Sequence, residues 1–307
     1  MTDHTATVTI RDVTPRDGLQ AGNPVSSIAR AELAITLADA GLAHVEAASF
    51  VSARAVPSMA GADEVFGLLP DCGTAWWALV PNARGAEAAL AAGARCITVT
   101  ISASAAYSEK NVGRSTADAI AGLADIAAIA HPAGAALDVV VSCAFGSPFD
   151  DVSSPAPVID VVDAALRAMP GARITLADTT GTATPRRIAS VVGELVGEAR
   201  ADLGLHLHDT RGTALANALW ALENGIRRFD TATGGLGGSP FAPGAGGNLA
   251  TEDLVLVLDD LGVSTGIDLD AVLRVASMLP SLVGHSVPGR TAAAGPLPLF
   301  HSSRTPP

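Results

Sequence analysis

The run Leu205-His206-Leu207-His208-Asp209 alternates leucine with imidazole, and in an extended chain residues two apart point to the same side. Gly204 before it and Thr210-Arg211-Gly212 after it bound a short buried strand whose far end opens into a loop. Working outward in both directions, short β-branched runs alternate with longer Ala/Leu-rich stretches of helical spacing, which is the pattern of repeated βα units around a parallel sheet. Strands are predicted at residues 8–13, 45–50, 75–80, 96–101, 137–143, 173–177, 204–208 and 228–232. Eight such units predict an α/β fold of the (β/α)8 TIM-barrel type with a short C-terminal helical extension. An open doubly wound sheet is the alternative, but the first strand–helix junction has neither G-x-G-x-x-G nor P-loop glycines.

The connecting helices carry their own signals. Ser27 is expected to cap a helix that ends at Gly41, Ser115 or Thr116 to cap one reaching residue 130, and Thr184-Pro185 to open another. After the eighth strand, Gly234-Gly235-Leu236-Gly237-Gly238-Ser239-Pro240 and Pro243-Gly244-Ala245-Gly246-Gly247 read as a mobile loop. Asn248 then precedes a helix with Glu252 and Asp253 in its first turn, and a further helix over 269–279 leads to a Pro/Gly-rich tail from Pro288. One domain is expected over residues 1–307, with the barrel at about 7–265 and the helical extension and tail at about 266–307.

Composition narrows the functional classes. The 307-residue chain is 49% hydrophobic with a formal net charge of −12 and shows no Lys/Arg cluster, which argues against binding nucleic acid or an anionic membrane. Cys72, Cys96 and Cys143 lie far apart without CxxC spacing, so neither a disulfide framework nor a thiolate zinc site is expected, and a reducing cytoplasm fits. No charged start followed by an apolar run, and no apolar stretch of about 18 residues, predicts export or a membrane span.

In a barrel of this kind, reactive groups gather at the C-terminal ends of the strands. Arg16-Asp17-Gly18 after strand one, Glu46 in strand two, Asn82 after strand three, Asp178-Thr179 after strand six and the two histidines in strand seven all fall there. Buried imidazoles need partners, so His206 and His208 are either satisfied by carbonyls or shared by a metal ion. Asp17 is either a turn residue in Pro15-Arg16-Asp17-Gly18 or the carboxylate that suits the site to a hard ion such as Mg²⁺ or Mn²⁺. Arg16 either pairs with Glu46, which is costly to bury alone, or stabilises an oxyanion on substrate. Asn248 is either a helix cap or a carbonyl ligand, Asp209 is structural, and Lys110-Asn111 read as a solvated loop.

Taken together, Thr14-Pro15-Arg16-Asp17-Gly18-Leu19-Gln20, the EAASFV of residues 46–51, Pro81-Asn82, the VSCA of residues 141–144, Asp178-Thr179, the HLHD of residues 206–209 and GLGGSPFAPGAGGNLATED over 235–253 resemble 3-hydroxy-3-methylglutaryl-CoA lyase. The likeness spans about residues 8–265. It implies a divalent ion, Mg²⁺ or Mn²⁺, held by Asp17, His206, His208 and Asn248. Arg16 would stabilise the enolate of the departing thioester, with Glu46 orienting it. Gln20, Asn82, Asp178, Thr179, Gly237 and Gly238 would contact an acyl-CoA substrate. A homodimer is also implied.

Two departures stand out. Ser239 occupies the position where the family carries a cysteine as acid/base, and an alcohol is a poor proton shuttle near neutral pH. The run Ala21-Gly22-Asn23-Pro24 has no lysine for the coenzyme A phosphates, leaving Arg54, Arg84 or Lys110 to compensate. The expected activity is cleavage of a branched 3-hydroxyacyl-CoA to acetyl-CoA and acetoacetate. The competing readings are a condensing acyltransferase of the isopropylmalate synthase type and a catalytically weak metabolite-binding paralogue.

Overall fold

Eight parallel strands close into a barrel in the order β1-β2-β3-β4-β5-β6-β7-β8, with β8 returning to β1. The computed structural model describes residues 7–149, 154–238 and 246–295. The strands are β1 (Thr9–Asp12), β2 (His44–Ser49), β3 (Ala75–Leu79), β4 (Cys96–Ser102), β5 (Ala136–Ser142), β6 (Arg173–Ala177), β7 (Leu203–His206) and β8 (Arg228–Thr231). Each lies within a residue or two of its expected position, because β-branched and apolar runs bounded by glycine leave little freedom in register. The single register shift lies between Glu46 and Ala48 in β2, where the chain carries a buried carboxylate.

The two faces of each strand have different chemistry. Ile10, Val45, Ile97, Val139, Ile174, Leu205 and Phe229 are buried in the apolar core. The interleaved residues Arg11, Thr98, Asp138, Thr175 and Asp230, equally buried, join across the barrel through polar contacts. Arg11 pairs with Asp138 at 2.9 Å and Asp230 at 2.8 Å and lies 4.8 Å over the Trp77 ring. Such pairs are costly to desolvate but costlier to break, about 3–5 kcal/mol when one partner is removed.

Helix starts follow local chemistry with one shift. Ser26 rather than Ser27 caps the first helix, Ser27–Asp39, accepting from the Ala29 amide. Ser115 caps Thr116–Ala130 and Thr184 caps Pro185–Val192. Lys110 and Asn111 belong to the helix Ala105–Val112, not to a loop, and Lys110 Nζ sits 3.6 Å from the Phe149 ring centroid. The tail reaches a short helix, Arg290–Ala294, after which the chain lies outside the described residues.

Two closure devices join the ends of the barrel. The buried Asp12 carboxylate accepts from the Thr14 and Thr233 amides and from the hydroxyls of Thr233 and Thr251. Glu252, in the first turn of the helix Thr251–Asp260, accepts the Gly234 amide at 3.1 and 3.0 Å. Burial pushes the Glu252 carboxyl up to about 7 from an ordinary 4.5. Between those values the native chain holds a proton that the unfolded chain has released. This group's contribution to stability is therefore full below pH 4.5 and lost as the pH rises through about 7. Glu252→Gln is expected to remove that decline, gaining on the order of 2–3 kcal/mol over wild type between about pH 4.5 and 8. Urea unfolding of both proteins at the two pH values measures it; parallel pH profiles would show that the carboxyl ionises without penalty.

Candidate metal centre

β1 runs into a five-residue π-helical turn, Thr14–Gly18, in which the amides of Arg16, Asp17 and Gly18 all point to the Val13 carbonyl at 3.2, 2.7 and 3.1 Å. The turn carries Arg16 and Asp17 at the end of the strand. Arg16 Nε donates to Glu46 Oε2, and Arg16 Nη1 donates to Asp17 Oδ1 at 2.6 Å. The pairing with Glu46 expected from the sequence is thus present, and it is fully buried on the glutamate side.

Asp17, His206 and His208 come together, with one ligating atom from each lying within 4.8 Å of the others. The two Nε2 atoms are 3.2 Å apart. His208 Nδ1 lies 3.1 Å from the Gly246 carbonyl oxygen, which can only accept, and His206 Nδ1 lies 3.2 Å from Asp230 Oδ2. With both Nδ1 atoms donating, both Nε2 lone pairs face one another, an arrangement that calls for a cation between them.

The segment after the glycine loop supplies a further oxygen. Residues 246–251 run beside the ends of β7 and β8: the Asp209 amide donates to Gly247, Leu249 donates to Leu207, and Ala232 donates to Leu249. This sets Asn248 against the cluster. The next helix begins at Thr251 with Ala250 in the cap position, so Asn248 is not its cap. Asn248 Nδ2 donates to Asp17 Oδ2 at 2.8 Å and to the Leu236 carbonyl at 2.9 Å, and its Oδ1 is buried without a partner. One carboxylate, two imidazole lone pairs and an orphaned amide oxygen are a donor set that fits a divalent ion. Close approach here requires glycine. A Cβ on Gly237, at φ +114°, would lie 2.4 Å from Asn248 Nδ2, and one on Gly247 would lie 1.7 Å from the Gly235 carbonyl.

Charge in the cluster is finely divided. Burial opposes ionisation of Asp17, but Arg16 and the two imidazoles outweigh it and hold the carboxyl at about 2. Burial also opposes charge on His206, yet its hydrogen bond to Asp230 and the nearby Asp17 raise its pKa. Burial and the neighbouring His206 push His208 down to about 4. The two imidazoles are thus shifted in opposite directions, His206 up by its carboxylate neighbours and His208 down by burial and by His206.

The other expected contacts are placed more diversely. Asp178, at the end of β6, accepts from the Thr182 and Ala183 amides through Oδ1, while its buried Oδ2 has no partner; burial pushes its carboxyl up to about 6. Thr179 Oγ1 accepts the Cys143 amide at 3.1 Å. Asn82 caps the helix Ala83–Ala91. The Gln20 carbonyl accepts from Ser58 at 2.6 Å. Gly237 follows Leu236 directly beside Asn248 and Gly238 is next in the chain, whereas Ser239 and the glycine-loop residues 239–245 lie outside the described residues. Asp209 accepts the Ala214 amide and starts the next helix.

Two features escaped the sequence reading. Cys143 takes φ +56°, the positive-φ non-glycine residue among those described, at the end of β5 beside Thr179. The Arg11–Asp230 pair lies directly beneath His206. A charged residue directly after an apolar one in each strand, Arg11 after Ile10 and Asp230 after Phe229, was the available signal.

Comparison with known proteins places this geometry in a family. A profile described as HMGL-like matches residues 7–279. The chain is 41% identical over 303 residues to an (R)-citramalyl-CoA lyase from Chloroflexus aurantiacus, covering 94% of this chain and 95% of that protein. It is 41% identical over 291 residues to a hydroxymethylglutaryl-CoA lyase from Pseudomonas mevalonii, covering 94% and 96%. Among solved structures, an HMG-CoA lyase from Acinetobacter baumannii in complex with coenzyme A and 3-methylmalate superposes with a TM-score of 0.91 at 37% identity, covering 98% of this chain and 99% of that one. The chain with this arginine-braced cluster of carboxylate, imidazoles and amide belongs to the HMGL-like family.

Proposed function

We propose that the protein is a divalent-metal-dependent lyase that cleaves the carbon–carbon bond of a branched 3-hydroxyacyl-CoA, with 3-hydroxy-3-methylglutaryl-CoA as the leading substrate. The observation that carries the reading is the convergence of Asp17, His206, His208 and the orphaned Asn248 oxygen beside the Arg16–Glu46 pair. An Mg²⁺ or Mn²⁺ ion held by those four groups would supply Lewis acidity to the substrate's hydroxyl and its neighbouring oxygen. Asp178 offers a buried carboxylate oxygen without a partner, with its carboxyl raised to about 6, and takes the hydroxyl proton. The bond between C2 and C3 then breaks, C3 becomes a ketone, and the electron pair passes into the thioester enolate.

Arg16 holds that enolate. Its Nε and Nη1 are committed to Glu46 and Asp17, which fixes the guanidinium plane and leaves Nη2 for the thioester oxygen. Protonation at C2 releases acetyl-CoA, and acetoacetate is the second product. The proton donor is assigned to the glycine loop at Ser239, so Ser239→Cys should raise turnover, a thiol being the better donor near neutral pH. Small-molecule acyl-CoA is the partner, the assembly is a homodimer, and the cytoplasm is the compartment.

A second substrate has specific support. The citramalyl-CoA lyase is as similar to this chain as the hydroxymethylglutaryl-CoA lyase. The two substrates differ in whether the free carboxylate sits on the carbinol carbon or one methylene away. Purified protein with Mn²⁺ is expected to release acetoacetate from hydroxymethylglutaryl-CoA faster than pyruvate from citramalyl-CoA. The opposite preference reassigns the substrate. Failure of both thioesters, with Ser239→Cys also inert, abandons the lyase mechanism.

A further inference from the structure

We propose that Asp230 and Arg11 are positioning residues that fix the tautomer and plane of the His206 imidazole for metal binding, an inference that rests on the metal reading of the site. His206 and Asp230 are paired in register across β7 and β8, and Asp230 Oδ2 lies 3.2 Å from His206 Nδ1. The carboxylate does not choose its own orientation. Arg11 Nε donates to Oδ1 and Arg11 Nη2 to Oδ2, both at 2.8 Å, and two parallel bonds lock the carboxylate plane. Arg11 is itself anchored by Asp138 at 2.9 Å, by Thr98 Oγ1 at 3.3 Å and over the Trp77 ring.

An acceptor-only group held in this way requires the His206 proton on Nδ1 and leaves the lone pair on Nε2. That is the nitrogen 3.2 Å from His208 Nε2. His208 reaches the same tautomer by a different route, through the main-chain carbonyl of Gly246 beside the glycine loop. One ligand is thus set by the loop and the other by the barrel interior. This gives the charges inside the barrel a use. Apolar residues of similar volume would fill the same space without a desolvation cost, so a purely structural role does not call for an arginine–aspartate pair there.

A set of paired replacements separates positioning from packing. Arg11→Leu/Asp230→Leu removes the acceptor while filling the space, and Arg11→Leu/Asp230→Asn returns one acceptor oxygen, free to turn to His206. Mn²⁺ binding, followed by the electron paramagnetic resonance of the free ion, is expected to weaken about 10–100-fold in the leucine variant. It should recover to within about threefold of wild type in the asparagine variant, with metal-free thermal unfolding showing both to be folded. Equal affinity in the leucine variant and wild type, or no recovery with asparagine, overturns the inference while leaving the metal site standing. Wild-type protein that takes up no Mn²⁺ overturns the metal reading and the inference together. If neither variant folds, nitrogen-15 spectra of the histidines in Mg²⁺-loaded wild type decide: a proton on His206 Nδ1 supports the inference, and one on Nε2 defeats it.

Discussion

His206→Ala/His208→Ala is expected to lower Mn²⁺ affinity by roughly 10³-fold or more and to abolish measurable lyase turnover. The reason lies in the donor count. Asp17 and Asn248 remain in the double variant, but Asp17 already accepts from Arg16 and from Asn248 Nδ2, and a single committed carboxylate with one amide oxygen holds a divalent ion weakly. Removing the imidazoles also takes the His208 partner from the Gly246 carbonyl and the His206 partner from Asp230 Oδ2, which keeps Arg11, so some loss of stability accompanies the loss of metal. Equilibrium dialysis against Mn²⁺, run beside a thioester-cleavage assay, measures both. A double variant that retains metal as well as wild type would move the site elsewhere in the chain.

Arg16→Met is the second large effect. Turnover should fall about 10²–10³-fold, the usual consequence of removing a preorganised donor from a developing oxyanion. Glu46 would then be buried without a counter-charge, at a cost of about 3–5 kcal/mol. The two consequences separate in Arg16→Met/Glu46→Gln, which should regain stability and remain inactive. Arg16→Lys is not expected to rescue turnover. An ammonium cannot span Glu46 Oε2 and Asp17 Oδ1 while presenting a third donor to substrate. A lysine variant with near wild-type kcat would show that Arg16 acts as a simple positive charge or as structure alone.

The barrel was legible because its signal is local and repeated. Each strand is a short run with an apolar stretch between glycines or polar turns, and eight of them in alternation with helices admit few topologies. Asp17, Asp178, His206 and His208 stood out because each ends or follows an apolar run at the C-terminal end of its strand, and Glu46 because it interrupts one. What the sequence hides is mutual geometry. Arg11 and Asp230 follow the same alternation as an ordinary half-exposed strand, and only closure of β8 onto β1 shows that both face inward and clasp one another. Asn82 looks like a strand-end polar residue, yet it caps a helix, since three residues on lies an amide in need of an acceptor. Asn248 was ambiguous for the converse reason. An asparagine before a helix usually caps it, and only the path of residues 246–251 across the barrel mouth turns it toward Asp17.

The closure contacts also fix an order of events during synthesis. Asp12 waits for Thr233 and Thr251, which follow it by 221 and 239 residues, and Asp17 waits for Asn248, which follows by 231. A ribosome delivers the arginine and carboxylates of the first two strands long before their counterparts exist. During that interval Arg16 has Glu46 only 30 residues away and Asp17 beside it, and Asp12 has the Thr14 amide, whereas the second oxygens of Asp12 and Asp17 await partners more than 200 residues on. The nascent chain thus carries a half-built pocket through most of translation, and the four groups of the proposed metal site meet only when the last strand has docked. Competence to hold an ion is the final property the polypeptide acquires, so metal occupancy marks a chain whose ends have found each other.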